Sequence, residues 1–260
     1  MMPVIHLFWA ELKRAWIQYI RYPAEALGGI LITTFFFYAL FAGAQYVAGP
    51  ASQFGERLDA VVIGYVLWTL VIFVVNDIAL NLQVEAQTGT LEQVLLSPFS
   101  AATLFLARAC ASLVLRFSVV VVILGAILLL TGSRLRFPPS LVLPLLSVVL
   151  GAYGFSFLLG SAALIWKRIQ QLLIISQFGL LFLLAAPTEE WPGSLRWLGQ
   201  SLPMTAGAGL LRDVMVREAG LDPVRLIMAL TSGVFYFGLG LLTFRRAVRA
   251  AKRRGILGSQ

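Results

Sequence analysis

Three charged residues sit in or beside stretches otherwise made of apolar side chains: Asp77 within Ala60–Leu80, Arg116 within Ser112–Thr131, and Arg108 just ahead of that second stretch. A charge at membrane depth is costly, and it is usually paired or turned toward water. One acid with two guanidinium groups nearby suits an intramembrane ion pair, in which Asp77 binds Arg108 or Arg116 as a structural clamp. A proton relay is the competing chemistry, and a lone acid with no histidine beside it makes a poor one. The remaining inventory is sparse. His6 is the single histidine and Cys110 the single cysteine, which excludes a His/Cys metal cluster and an internal disulfide. Glu189 and Glu190 are the paired carboxylates, and as sequence neighbours they read as a solvated pair. The chain has no glycine-rich loop ending in Gly-Lys-Ser/Thr, so it does not cradle nucleotide phosphates that way. Most nucleophilic triads fail on the inventory alone.

A polar island, Gln83–Pro98, separates two of the apolar stretches. Thr90 is a good N-cap, and Gln93 follows at capping-box spacing. Leu91, Val94 and Leu95 then share one face, Glu92 and Gln93 fall off it, and Ser97-Pro98 ends the helix. The island is too short and too polar to cross a bilayer. Two readings stand: a capped surface helix, or a helix built to dock another protein.

These residues are positioned by a chain of 260 residues that is 59% hydrophobic and 12% charged. A soluble domain carries about 25% charge, so this composition indicates an all-α integral membrane protein. The net charge of +8 does not point to nucleic acid, because the basic residues collect at the ends of apolar runs. Six runs are candidate spans: Ala24–Ala44, Ala60–Leu80, Ser112–Thr131, Leu141–Trp166, Ile169–Pro187 and Leu226–Phe244. The fifth is short for a full crossing of about 20 residues. An even number puts both termini on one side. With the N-terminus in the cytoplasm, twelve of the 20 basic residues fall inside, seven fall outside, and Arg116 lies within a span. That bias predicts cytoplasmic termini and a cytoplasmic polar island. The basic tail from Arg245 would rest on anionic headgroups. No cleavable leader is expected, because the first apolar run follows an amphipathic segment and lacks a small-residue cleavage site.

The first 22 residues predict an interfacial helix. Ile5, Phe8, Trp9, Leu12, Trp16 and Ile20 recur at spacings of three or four, and Pro23 separates them from the first span. It serves as an anchor, a mechanical element, or both. Residues 188–222 carry short apolar pieces that suit helices dipping into the outer leaflet and returning. Ala152, Ser156 and Gly160 recur every four residues along the fourth span, a spacing for close helix contact, most often within one protomer. Gln170, Gln171, Ser176 and Gln177 make the fifth span polar in one half. With Phe178 and Phe182 they suit either an amphiphile path or interhelical hydrogen bonds. The whole chain reads as one membrane domain without a repeat, linker or separate soluble unit.

Thr88-Gly89-Thr90-Leu91-Glu92-Gln93-Val94-Leu95-Leu96-Ser97-Pro98 resembles the Gly-Thr-Leu-Glu…Ser-Pro segment of ABC-2 type ABC exporter permeases, and Leu202-Pro203…Leu211-Arg212 is similar to that family's Pro…Arg segment before the last span. The resemblance implies that Thr90, Leu91, Glu92, Gln93, Val94, Leu95 and Ser97 form the coupling helix that inserts into the ATPase. It also implies two permeases, a homodimer or pseudo-dimer, with two cytoplasmic ABC ATPase subunits in the cell membrane. ATP and Mg2+ are then bound by the partner subunits, and no cofactor by this chain. The substrate path of the family runs between the two permeases near the first, second and fifth spans, which here presents Phe36, Tyr38, Gln171, Gln177, Phe178 and Phe182. The Gly-Thr-Leu-Glu sequence is similar to exporters of drugs and lipids, so the expected cargo is a hydrophobic or amphiphilic small molecule or lipid. Polysaccharide or glycolipid export is the alternative. An ion-coupled secondary transporter is the weaker rival, because the two halves lack matching helix interruptions. An intramembrane enzyme would need a convergent set of titratable groups that the spans do not offer.

Overall fold

A computed structural model describes residues 2–48, 55–88, 99–133, 135–166 and 169–253. The expected docking helix, Thr90 through Ser97, lies outside the described residues. Among the described residues the fold is all-helical: α1 Met2–Arg21, α2 Pro23–Ala48, α3 Gly55–Thr88, α4 Ala101–Thr131, α5 Val142–Trp166, α6 Gln170–Ala185, α7 Ser194–Ser201, α8 Thr205–Met215 and α9 Pro223–Arg253. Short 3-10 turns at Pro139–Leu141 and Thr188–Glu190 precede α5 and α7.

Five of these helices are long and apolar enough to cross a membrane. The remaining expected span, the fifth in sequence, is α6, with 16 residues. At 1.5 Å per residue it reaches roughly 24 Å, short of a hydrocarbon core of about 30 Å. Two boundaries differ from expectation. Gln83–Thr88 continues α3 rather than opening a separate helix. No glycine or proline interrupts the chain between Leu80 and Thr88, and the Thr88 hydroxyl bonds back to the Val84 carbonyl at 2.8 Å. Likewise α4 begins at Ala101, eleven residues before the predicted span. Ser100 caps it by accepting from the Thr103 amide, and Gly132 ends it at φ 70°, where a side chain would be strained.

The tightest contact is between α5 and α9. A Cβ on Gly240 would lie 2.1 Å from the Gly154 carbonyl oxygen, one on Gly154 2.3 Å from the Tyr236 oxygen, and one on Gly233 2.6 Å from the Ser147 oxygen. Seven residues separate both Ser147 from Gly154 and Gly233 from Gly240, so each pair shares a helix face. Numbers rise together along both helices, and α5 and α9 therefore run parallel. The Ser156 hydroxyl donates to the Val74 and Val75 carbonyls, and a Cβ on Gly160 would meet Leu82, so α3 is parallel to them as well. Ala152, Ser156 and Gly160 thus pack α5 onto α3 inside one protomer.

Contacts with α3 fix the opposite direction for α4 and α6. Arg108 meets Glu85 while Ser112 meets Asp77, and Gly64 lies against Leu184 while Asn76 meets Gln177. Direction therefore alternates through α3, α4, α5, α6 and α9, and α6 returns the chain to the side from which α9 starts. The end of α3, the start of α4, α1 and the basic end of α9 share one end of the bundle. The helices α7 and α8 cover the other end. Along α8 every side chain except that of Ala206 is buried.

The glycine contacts set a test. Gly240→Ala drives a methyl into a backbone carbonyl and should cost about 1–3 kcal/mol or more, read as a lower melting temperature in detergent. Gly179→Ala has nothing within 4 Å of the new carbon and should leave stability unchanged or raise it by about 1 kcal/mol. Equal behaviour of the two variants would refute the α5–α9 contact.

Candidate functional site

Two charged clusters lie at opposite ends of the bundle. At the α1 end, Arg108 of α4 reaches Glu85 of α3 at 2.6 Å and Glu11 of α1 at 3.5 Å. Its guanidinium also stands over the Phe105 ring, 5.5 Å from the centroid. Of the two partners expected for Asp77, Arg108 is taken by two glutamates. Asp77 instead accepts from the Ser112 hydroxyl at 2.5 Å and from Arg116 at 3.3 Å. The physical reason is register. With α3 and α4 antiparallel, Glu85 faces Arg108, and Asp77, two turns back, faces Ser112 and Arg116. Because α3 continues to Thr88, Asp77 lies roughly 16 Å from its end. Arg116 is steadied by the Phe73 ring at 5.3 Å. Glu11, Asp77, Arg108, Ser112 and Arg116, with Asn76, wall a cavity of about 570 Å3 between α1, α2, α3 and α4.

At the other end the deepest charge is Arg212 of α8, 1% exposed. It grips Glu189 in a two-pronged pair, Nε to Oε1 and Nη2 to Oε2, both at 2.7 Å. Its Nη1 donates to the Leu184 carbonyl at 2.7 Å and Nη2 to the Ala186 carbonyl at 3.2 Å. One guanidinium thus satisfies carbonyls at the end of α6 and holds the turn that follows. The reading of Glu189 and Glu190 as a solvated pair is overturned for Glu189, which is 7% exposed. Glu190 is exposed and pairs with Arg217. Sequence neighbours in a 3-10 turn point in different directions, which separates the two acids. Burial works against the charged form of Glu189, but the hydrogen bonds and charge of Arg212 outweigh it and hold its pKa below the usual carboxylate range. Asp213 accepts from Arg217 and Arg225 at the rim. The sequence signal for this cluster is an arginine inside an otherwise small and apolar helix, where Gly209 leaves room for the Glu189 carboxylate.

The residues expected along a substrate path divide. Gln177 turns inward: its side chain donates to Asn76 at 3.1 Å, and its carbonyl accepts from the Trp68 indole at 2.9 Å. Phe178 and Phe182 on α6, and Phe36 and Tyr38 on α2, are exposed, as is Gln171. The two helices brace the same stretch of α3. Tyr65 donates to the Thr33 carbonyl of α2 at 2.8 Å, and Trp68 reaches α6.

Residues 6–216 match the family model of the ABC-2 type transporter. The chain belongs to that family. No curated protein matches it closely enough to be counted a relative. As an ABC-2 protein it is the membrane-spanning permease subunit of an ABC transporter, and ABC ATPase subunits associate with it. The matched range runs from within α1 to the residue after α8, so it takes in Glu11, Glu85 and Arg108 at one end and Glu189 and Arg212 at the other.

The Arg212–Glu189 pair sets a pH-dependent prediction. A carboxylate whose folded pKa is lowered contributes stability that is complete above its unfolded pKa and is lost as pH falls through the folded value. The permease should therefore lose melting temperature on acidification below the ordinary carboxylate range. Glu189→Gln should cost about 3–5 kcal/mol near neutrality and flatten that acid limb. A neutral-pH melt equal to that of the unmodified protein would show that the pair carries no weight.

Proposed function

We propose that this ABC-2 permease acts as a pair of identical copies with two cytoplasmic ATPase subunits and exports a hydrophobic or amphiphilic small molecule or lipid. ATP and Mg2+ are bound by the ATPases. The segment Thr90–Ser97 docks in them as the coupling helix, and both termini lie in the cytoplasm. The observation that carries the reading is the Glu11–Arg108–Glu85 cluster. The ends of α3 and α4 bracket the docking segment, so a push on that segment reaches both helices. Arg108 adds α1 to the moving body through its ion pair with Glu11 at 3.5 Å, while its hydrogen bond to Glu85 holds α3. The N-terminal helix is then a lever as well as an anchor.

The exposed faces of α2 and α6 support the two-copy arrangement. Phe36, Tyr38, Phe178 and Phe182 are exposed on two helices that both bond to α3. A second copy facing them would close a lined path with Gln171 at one end. Gln177 is engaged with Asn76 and acts there as a tether. The apolar character of these faces favours an apolar or amphiphilic cargo.

Two expected outcomes follow. Leu91→Asp combined with Leu95→Asp should abolish co-purification of the ATPase and ATP-driven transport in vesicles, because the apolar docking face is lost. Retention of both would sink the docking assignment. Arg108→Glu should leave the ATPase bound while transport falls by about tenfold, and adding Glu85→Arg should recover much of it. Full transport in the single variant would remove Arg108 from the force path.

A further inference from the structure

We propose that the cavity walled by α1, α2, α3 and α4 seats the anionic headgroup of a membrane lipid drawn from the leaflet on the α1 side. The argument rests on which hydrogen-bonding groups in the wall are already used. Asp77 has both oxygens engaged, one by Ser112 and one by Arg116. Glu11 has one oxygen facing Arg14 and the other facing Arg108, each at 3.5 Å. Both acids that line the cavity thus already face a guanidinium, while the guanidinium groups keep N–H donors to spare. Arg116 is 41% exposed, lines the cavity and gives a single nitrogen to Asp77 at a long 3.3 Å. Arg14 is 62% exposed and gives a single nitrogen to Glu11. The Nε of Arg108 is buried with no hydrogen-bond partner.

A cavity with satisfied acceptors and spare guanidinium donors selects an acceptor-rich anion, and a forked guanidinium fits phosphate oxygens in particular. The position selects the source. One wall is α1, whose Trp9, Trp16 and Ile20 are exposed beside basic residues, the pattern of a helix lying in the headgroup layer. A volume of about 570 Å3 suits a headgroup and its first carbons. Tyr19 and Tyr22 stand exposed at the rim, where phenol groups meet the interface. Such a lipid would fill the space between α1 and the spans, and so bear on the lever proposed above.

The test is a titration of the full-length permease in micelles with fluorescent short-chain phosphatidylglycerol, competed by unlabelled phosphatidylcholine of the same chain length or by inorganic phosphate. The anionic lipid should bind at least tenfold tighter than the zwitterionic one. Arg116→Gln should cost about tenfold in that affinity, the scale of one charge-assisted hydrogen bond. Gly29→Phe is the steric control: Gly29 lines the cavity, a Cβ there meets nothing within 4 Å, and no charge is altered. It too should lower affinity about tenfold while the protein remains monodisperse. Equal affinity for both lipids, unchanged binding in both variants, or displacement by inorganic phosphate at the lipid's own concentration would each overturn the proposal. The site rests only on the chain being membrane-embedded. The titration is run without an ATPase, so its failure leaves the docking segment's assignment standing.

Discussion

A charge withdrawn from water has to bring its counter-charge into the fold, and this constraint organises both ends of the bundle. At one end Arg212 satisfies it with Glu189 and with two carbonyls at the close of α6. That single side chain explains how a helix too short to span the hydrocarbon can end inside protein: its terminal carbonyls are met by a guanidinium rather than by water. It also holds α8 against the bundle, where small residues let the helix approach α5 closely. At the other end Arg108 satisfies the constraint with acids from two different helices, which ties α1, α3 and α4 together.

Between the ends the packing is uneven. In lipid no hydrophobic force drives one helix onto another, so close approach depends on small residues and on hydrogen bonds. The parallel trio α3, α5 and α9 is built that way, through Gly154, Gly240, Gly160 and the Ser156 hydroxyl. In contrast, α2 and α6 are attached to α3 by Tyr65, Trp68 and the Asn76–Gln177 bond, and leave broad apolar faces uncovered. A closely packed trio is thus flanked by two helices whose outer faces stay uncovered.

The all-helical class, the membrane setting and the N-terminal helix were legible from composition and from the 3.6-residue spacing of Ile5, Trp9, Trp16 and Ile20. The match over residues 6–216 agrees with the family resemblance of the Gly-Thr-Leu-Glu segment. The pairing of Asp77 with Arg116 was within reach because an acid in a span has few candidate partners. The role of Arg108 was not, because its partner Glu85 belongs to the polar island, and only the continuation of α3 to Thr88 brings that island alongside α4. Hydropathy also hid Arg212 and Glu189: each lies outside the long apolar runs, and their burial arises from α8 folding back onto α5 and α9. Likewise Gly154, Gly233 and Gly240 are unremarkable singly. Their meaning appears once α5 and α9 are known to run parallel with equal seven-residue spacing.

The central claim is that residues 90–97 receive force from an ATPase on the cytoplasmic side. Cys110 is the single cysteine, so Cys110→Ser gives a cysteine-free background in one step. Introducing Glu92→Cys there and treating intact cells with a membrane-impermeant thiol reagent reads the location of the segment directly, and a bifunctional thiol–amine linker in inverted vesicles reads its neighbour. The account predicts no labelling from outside and a cross-link to the ATPase subunit whose yield changes with ATP. Labelling from outside in intact cells would contradict it.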